Sequence, residues 1–181
     1  MAKHAQIMSL IQWIGAGPWR AELPHSHENH ALIWITRGQG RALVDGVLRG
    51  LSVHTALCIP AGTLFALELG KQGFGTVCTI PARGPVLMPD QPTLLRIRDV
   101  LAQAELTQIL EGMQREQHGA RAFMDEAMNA HATLLTVWLR RAIIDMAEDP
   151  VEVTAALRLA MAYSALIERD YTTGKPMADY A

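Results

Sequence analysis

The sequence predicts an α+β protein, a small antiparallel β-barrel followed by C-terminal helices. Three observations carry this. Short β-prone runs separated by Gly- and Pro-containing turns fill the first half of the chain, which is the pattern of a meander or barrel. Pro81, Pro85, Pro89 and Pro92 then close the β region, because proline at that density does not sit inside a sheet. From Asp99 onward the apolar residues recur at helical spacing.

The first element covers residues 5–23, two strands expected around the turn Gly15-Ala16-Gly17-Pro18. Trp13 and Trp19 flank that turn, placed either to pack in the core or to cover the barrel and its mouth. Residues 30–37 and 40–48 are expected as a central hairpin across Arg37-Gly38-Gln39-Gly40, with Asp45-Gly46 as a strong tight-turn signal. Further strands are expected at 55–59, 64–69, 74–80 and 93–97.

Asp99 is a suitable N-cap for a helix that ends near Gln117-His118-Gly119. The next helix spans about 120–148, where Met124, Met128, His131, Leu135 and Trp138 keep the spacing of a heptad seam, widened by Leu134, Val137 and Ile144. That seam suits either packing on the chain's own barrel or a homodimer, and the expectation taken here is dimerisation. Asp149-Pro150 breaks the helix, 151–170 forms a third, and Pro176 suits the first position of a fourth.

Composition bounds the function. The chain has 181 residues, half of them hydrophobic and 19% charged, enough for one packed domain with an appendage and too apolar for disorder. A net charge of −2 and the lack of any Lys/Arg block argue against strong nucleic-acid binding by this chain alone. No apolar run approaches the ~20 residues of a membrane helix, and no cleavable leader follows Met1, so a cytoplasmic protein without a membrane partner is expected. Cys58 and Cys78 sit in apolar strand-like runs and are expected as buried, reduced thiols.

The stretch with the most chemistry is Pro24-His25-Ser26-His27-Glu28-Asn29-His30, followed by the apolar run 31–35 and by Gly38. Two histidines one residue apart on an extended segment project to the same face. On the inner face they would stand at a barrel mouth, where ligands and metals bind. His25 and His27 can bind a metal, with His30, Glu28 or His54 as further ligands, or hydrogen-bond a polar effector, or stand idle on the rim. Gly38-Gln39-Gly40 lacks the strand–helix context of a nucleotide fingerprint, and Ser26 lacks partners for nucleophilic chemistry.

This stretch resembles a cupin, whose first motif runs His-x-His, three or four residues, Glu, six residues, Gly. His25, His27 and Gly38 match, whereas Ala31 stands at the Glu position. The second motif contains Pro-x-Gly-x-x-His, in which Pro60 and Gly62 match and Phe65 replaces the histidine. The resemblance implies a cupin-like barrel, that is, a double-stranded β-helix or jelly roll. With two of the family's four metal ligands absent, no metal cofactor is expected, and His25 with His27 remains a weak metal alternative.

The order of elements is similar to that of AraC/XylS-type transcriptional regulators. The matching pieces are the barrel, two helices, a helix ending in Ile167-Glu168-Arg169-Asp170-Tyr171, and then Lys175-Pro176-Met177-Ala178-Asp179-Tyr180-Ala181. That resemblance implies a cupin-like effector-binding barrel at 1–97 and a helical dimerisation segment at 98–149. It implies a linker helix and the truncated start of a helix-turn-helix domain at 150–181. It further implies a small-molecule effector, a homodimer, and DNA contact only through the remainder of that last domain. His25 and His27 are expected as effector anchors and Ile33 and Phe65 as walls. Ile33 is chosen because it shares the inward parity of Ala31, and one bulge would exchange it for Trp34. The expected role is sensing, not catalysis; the alternative is a metal-dependent cupin enzyme, a dioxygenase or isomerase.

Overall fold

Asp45 and Gly46 both adopt positive φ, 47° and 76°, as a tight hairpin turn requires, and join β3 (Gly40–Val44) to β4 (Val47–Leu51). This turn was legible from the dipeptide alone. The computed structural model describes residues 4–15, 21–119 and 121–148. The other strands are β1 (Gln6–Ser9), β2 (Asn29–Arg37), β5 (Thr55–Ile59), β6 (Phe65–Leu69), β7 (Phe74–Pro81) and β8 (Thr93–Arg96). They form two antiparallel sheets, one of five strands in the order β1-β7-β2-β5-β8 and one of three in the order β4-β3-β6. Two helices follow the strands, α2 (Val100–Gly119) and α3 (Met124–Glu148). The architecture is the expected α+β cupin-like barrel with C-terminal helices.

The expected hairpin between 30–37 and 40–48 does not form. β2 pairs with β5 and β7, whereas β3 pairs with β4 and β6, so Arg37-Gly38-Gln39-Gly40 carries the chain from one sheet to the other. Gly38 makes the crossing possible, since its φ is 79° and a Cβ there would lie 2.3 Å from the Gln72 carbonyl oxygen. The expected strand after Met8 is also replaced. Residues Leu10–Ile14 form a short helix, α1, because Ser9 and Gln12 make a reciprocal capping box. Ser9 Oγ accepts from the Gln12 backbone N–H at 3.2 Å, and the Ser9 N–H donates to Gln12 Oε1 at 3.0 Å.

The five-stranded sheet is buried on both faces, and alternation sorts its side chains between two interiors. Ala31, Ile33 and Ile35 of β2 face the barrel interior with Leu57, Ile59, Val77, Phe65 and Leu67. Leu32 and Trp34 face the opposite way, with Ala56, Cys58, Cys78 and Ile80, onto the helices. That second interior is completed by Leu106, Leu110 and Met113 of α2 and by Met128, Ala132, Leu135, Trp138 and Leu139 of α3. Asp99 caps α2 as expected, its carboxylate accepting from the Ala102 N–H at 2.7 Å.

The expected dimerisation seam is corrected here. Met128 and Leu135 are fully buried and Trp138 is 6% exposed, all within the chain's own core. Met124 packs against the same cluster. His131 lies over Gly112 of α2, so close that a Cβ on Gly112 would stand 2.7 Å from the imidazole Cε1. The heptad spacing is real, but the partner is the outer face of the five-stranded sheet together with α2. The residues read as widening the seam are the exposed ones: Leu134, Val137 and Ile144 are 56%, 38% and 57% accessible. The barrel and the helical hairpin lie in one compact unit, Met1–Asp145. Trp19 and the expected third and fourth helices of 150–181 lie outside the described residues. No helix among the described residues is long and apolar enough to cross a membrane.

Candidate functional site

The segment Pro24–Glu28 reaches the barrel mouth before β2 begins and is stapled there by backbone bonds. His25 and Phe65 exchange N–H···O bonds, both of 2.9 Å, and the Gly62 N–H donates to the His27 carbonyl at 2.8 Å. Alternation then brings His25 and His27 together, with ring centroids 5.2 Å apart and nearly perpendicular. Phe65 is buried beneath them, its ring 4.4 Å from His25 and 5.5 Å from His27. From the other side, the capped helix α1 delivers Trp13. Its indole stacks on Phe65 at 5.6 Å and 4°, and lies 5.0 Å from His27.

These rings bound a cleft of about 290 Å³ lined by Trp13, Ile14, Ala21, His25, His27, Phe65 and Leu67. His27 also borders two neighbouring clefts of about 430 and 550 Å³, which carry Gln6, Glu28, Asn29, Ser26 and Arg83. The mouth is thus apolar on one side of His27 and polar on the other. Of the expected effector residues, the structure gathers His25, His27 and Phe65 at this cleft. Ile33 has the inward parity expected for it, but it is fully buried in the barrel interior and does not line the cleft. Trp13, Ile14, Ala21 and Leu67 complete the wall. Leu67 was findable, since it shares the parity of Phe65 two residues earlier. Ile14 was not, because its position depends on α1 being a helix.

The nitrogens have defined roles. His25 Nδ1 lies 2.8 Å from the Leu23 carbonyl, which can only accept, so Nδ1 carries a proton. In the neutral ring, Nε2 then holds the lone pair. Burial, and secondarily the neighbouring His25, lowers the pKa of His27 below its ordinary value, which favours the uncharged imidazole. His30 is occupied elsewhere, its Nδ1 accepting from the Ala61 N–H at 3.1 Å. His54 stacks on Trp34 at 5.8 Å in a separate cleft of about 440 Å³ against α2.

The donor set does not fit a cupin metal. Ala31 has no ligand atom, Phe65 brings an apolar ring against both imidazoles, and His30 and His54 are engaged as just described. Among the described residues, no group of three or more His, Cys, Asp or Glu is arranged to hold a metal ion.

Neither a family model nor a curated protein matches the sequence. Solved structures similar to this chain include an RmlC-like cupin from Shewanella frigidimarina, at 21% identity over 34% of this chain and 55% of that one, TM-score 0.31. A cupin protein from Bacteroides fragilis is similar at 23% identity over 47% and 70%, TM-score 0.33. Apo ToxT from Vibrio cholerae, an AraC-family regulator, is similar at 10% identity over 97% of this chain and 68% of that one, TM-score 0.45. The chain thus spans about half the length of the Shewanella cupin. These likenesses concern the fold, and the chemistry of the mouth rests on its own residues.

Proposed function

We propose that this chain is the ligand-sensing and dimerising part of an AraC-type transcription regulator, and that its effector binds in the cleft bounded by Trp13, His25, His27 and Phe65. The observation that carries the reading is the composition of that cleft. Aromatic and aliphatic walls with a few convergent polar groups make a small-molecule site, and the substitutions Ala31 and Phe65 remove the ligands on which a cupin metalloenzyme would depend. The order of elements and the motif pieces at Pro60–Gly62 and in the last dozen residues support the regulator class.

A second copy of the chain would meet the exposed stripe of Leu134, Val137 and Ile144 on α3, a two-fold arrangement that pairs DNA-binding domains for paired half-sites. The test fuses residues 1–181 to a DNA-binding domain that represses a reporter only as a dimer. Repression by the fusion, lost on Val137→Asp and altered by compounds that raise the melting temperature of the isolated chain, is expected. A fusion that fails to repress, with a chain that sediments as a monomer at tens of micromolar, would overturn the dimerising role. Repression indifferent to every such stabilising compound would overturn the sensing role.

A further inference from the structure

We propose that the apolar cleft at the barrel mouth takes a small uncharged phenol, with its hydroxyl donating to His25 Nε2 and its ring against Trp13 and Phe65. The inference rests on the reading of the cleft as an effector site and narrows it to a ligand class.

The hydroxyl is assigned from hydrogen-bond direction. The Leu23 carbonyl fixes the proton on His25 Nδ1, at 2.8 Å, so the nitrogen left for the cleft is an acceptor. It asks for an O–H or N–H donor. A carboxylate would set acceptor against acceptor, and no Lys or Arg among the described residues lines this cleft to offset its charge. The His27 ring is held toward its uncharged form and supplies no lasting cation.

The ring is assigned from the walls. Apart from the two imidazoles, the cleft presents Trp13, Phe65, Ile14, Ala21 and Leu67. A sugar would bring four or five hydroxyls to two nitrogens, and each hydroxyl stripped of water without a partner opposes binding. One hydroxyl on an apolar body matches the supply. Size agrees as well: the cleft holds about 290 Å³, roughly twice the ~150 Å³ that accommodates benzene. One substituted ring or two fused rings fit. Trp13 and Phe65 stack on each other, inclined by 4°, so the aromatic wall is one packed pair against which a flat ring can lie.

The experiment is isothermal titration calorimetry at pH 8 on the full chain with 4-ethylphenol, its methyl ether 4-ethylanisole, and 4-ethylbenzoate. The phenol is expected to bind roughly tenfold more tightly than the ether, the effect of one hydrogen bond, and to exceed the carboxylate by at least that factor. His25→Phe should erase the preference for phenol over ether, and Trp13→Ala should weaken both. His25→Gln, whose amide oxygen also accepts, should restore part of the preference. Ether or carboxylate binding as tightly as the phenol, still weakened by Trp13→Ala, overturns the ligand class and leaves the cleft as the site. No binding by any of the three overturns the class outright. The sensing role is judged apart from it, by the reporter fusion.

Discussion

Gln117 of α2 holds the backbone of Ile7 at both ends of its amide: the Ile7 N–H donates to Gln117 Oε1 at 2.8 Å, and Gln117 Nε2 donates to the Ile7 carbonyl at 2.7 Å. The side chain acts as one more strand residue, closing the free edge of β1. Nearby, His4 Nδ1 lies 2.9 Å from the Asp125 carboxylate of α3. Gln6 and Met8, on the other face of β1, border the cleft that Trp13 and His27 share. Gln117→Ala should lower unfolding free energy by about 1–2 kcal/mol, the loss of two partly buried hydrogen bonds. Hydrogen exchange at Ile7 should quicken while exchange in β5 stays slow. Urea titration and exchange mass spectrometry measure both, and unchanged protection at Ile7 would show that the bracket is idle.

Leu135 and Val137 separate core from surface on one helix. Leu135 is fully buried against the five-stranded sheet, so Leu135→Asp should unfold the chain, at more than about 4 kcal/mol for a charge placed in a packed core. Val137, 38% exposed, should tolerate aspartate within about 1 kcal/mol. In the proposed dimer, Val137→Asp leaves a folded monomer. Circular dichroism paired with sedimentation velocity checks the pair of variants. A folded, monomeric Leu135→Asp protein would contradict the packing described here.

Acid should weaken the fold. Burial lowers the pKa of His27 from the ordinary 6.5, reinforced by His25, and burial lowers that of His30, partly offset by Asp90. The unfolded chain then takes up these protons first. Nothing is lost well above pH 6.5, and stability declines as pH falls through that value until the folded-state pKa values are passed. The melting temperature should begin to fall as pH is lowered through about 6.5. The double variant His27→Gln, His30→Gln should flatten that fall. An equally steep decline in the double variant would assign it to other groups.

Cys58 and Cys78 should be inert in the native state. Both are buried on the helix-facing side of the sheet, and burial pushes each thiol up to about 12. They lie on β5 and β7, on opposite sides of β2, and each pairs with Leu32. Ellman's reagent should label neither in native buffer and both in denaturant. Rapid native labelling would mean that the sheet opens locally.

Much of the barrel was legible because its turns are written in local chemistry. Asp45-Gly46, Pro60-Ala61-Gly62 and the proline-rich exit each declare themselves in a few residues. The sheet assignment was not legible, because Gly38 and Gly40 serve a hairpin or a crossover equally well, and the pairing that separates them is with distant strands, β5 and β7 for β2 and β6 for β3. The helix at Leu10–Ile14 was hidden by two β-branched isoleucines and a Trp, overridden by the Ser9–Gln12 cap. At the site, His25 and His27 were marked by their spacing and Phe65 by the motif it interrupts. The seam on α3 was misassigned because heptad spacing reports that a face is covered and not by what. A sheet presents as good a partner as a second helix.

β2 is a partition with an apolar space on each side, and that sets a rule for changes in chain length. Ala31, Ile33 and Ile35 fill one space, and Leu32 and Trp34 the other. Deleting or inserting one residue within this run would exchange the contents of both spaces in a single event. It would drive the indole of Trp34 into the barrel and leave a small side chain under the helices, and no repacking on one side could repair the other. Point substitution, by contrast, touches one space at a time. Variants that differ in length should therefore cluster at the exposed Asp45-Gly46 turn and be absent from residues 31–35, so that this strand evolves by replacement alone.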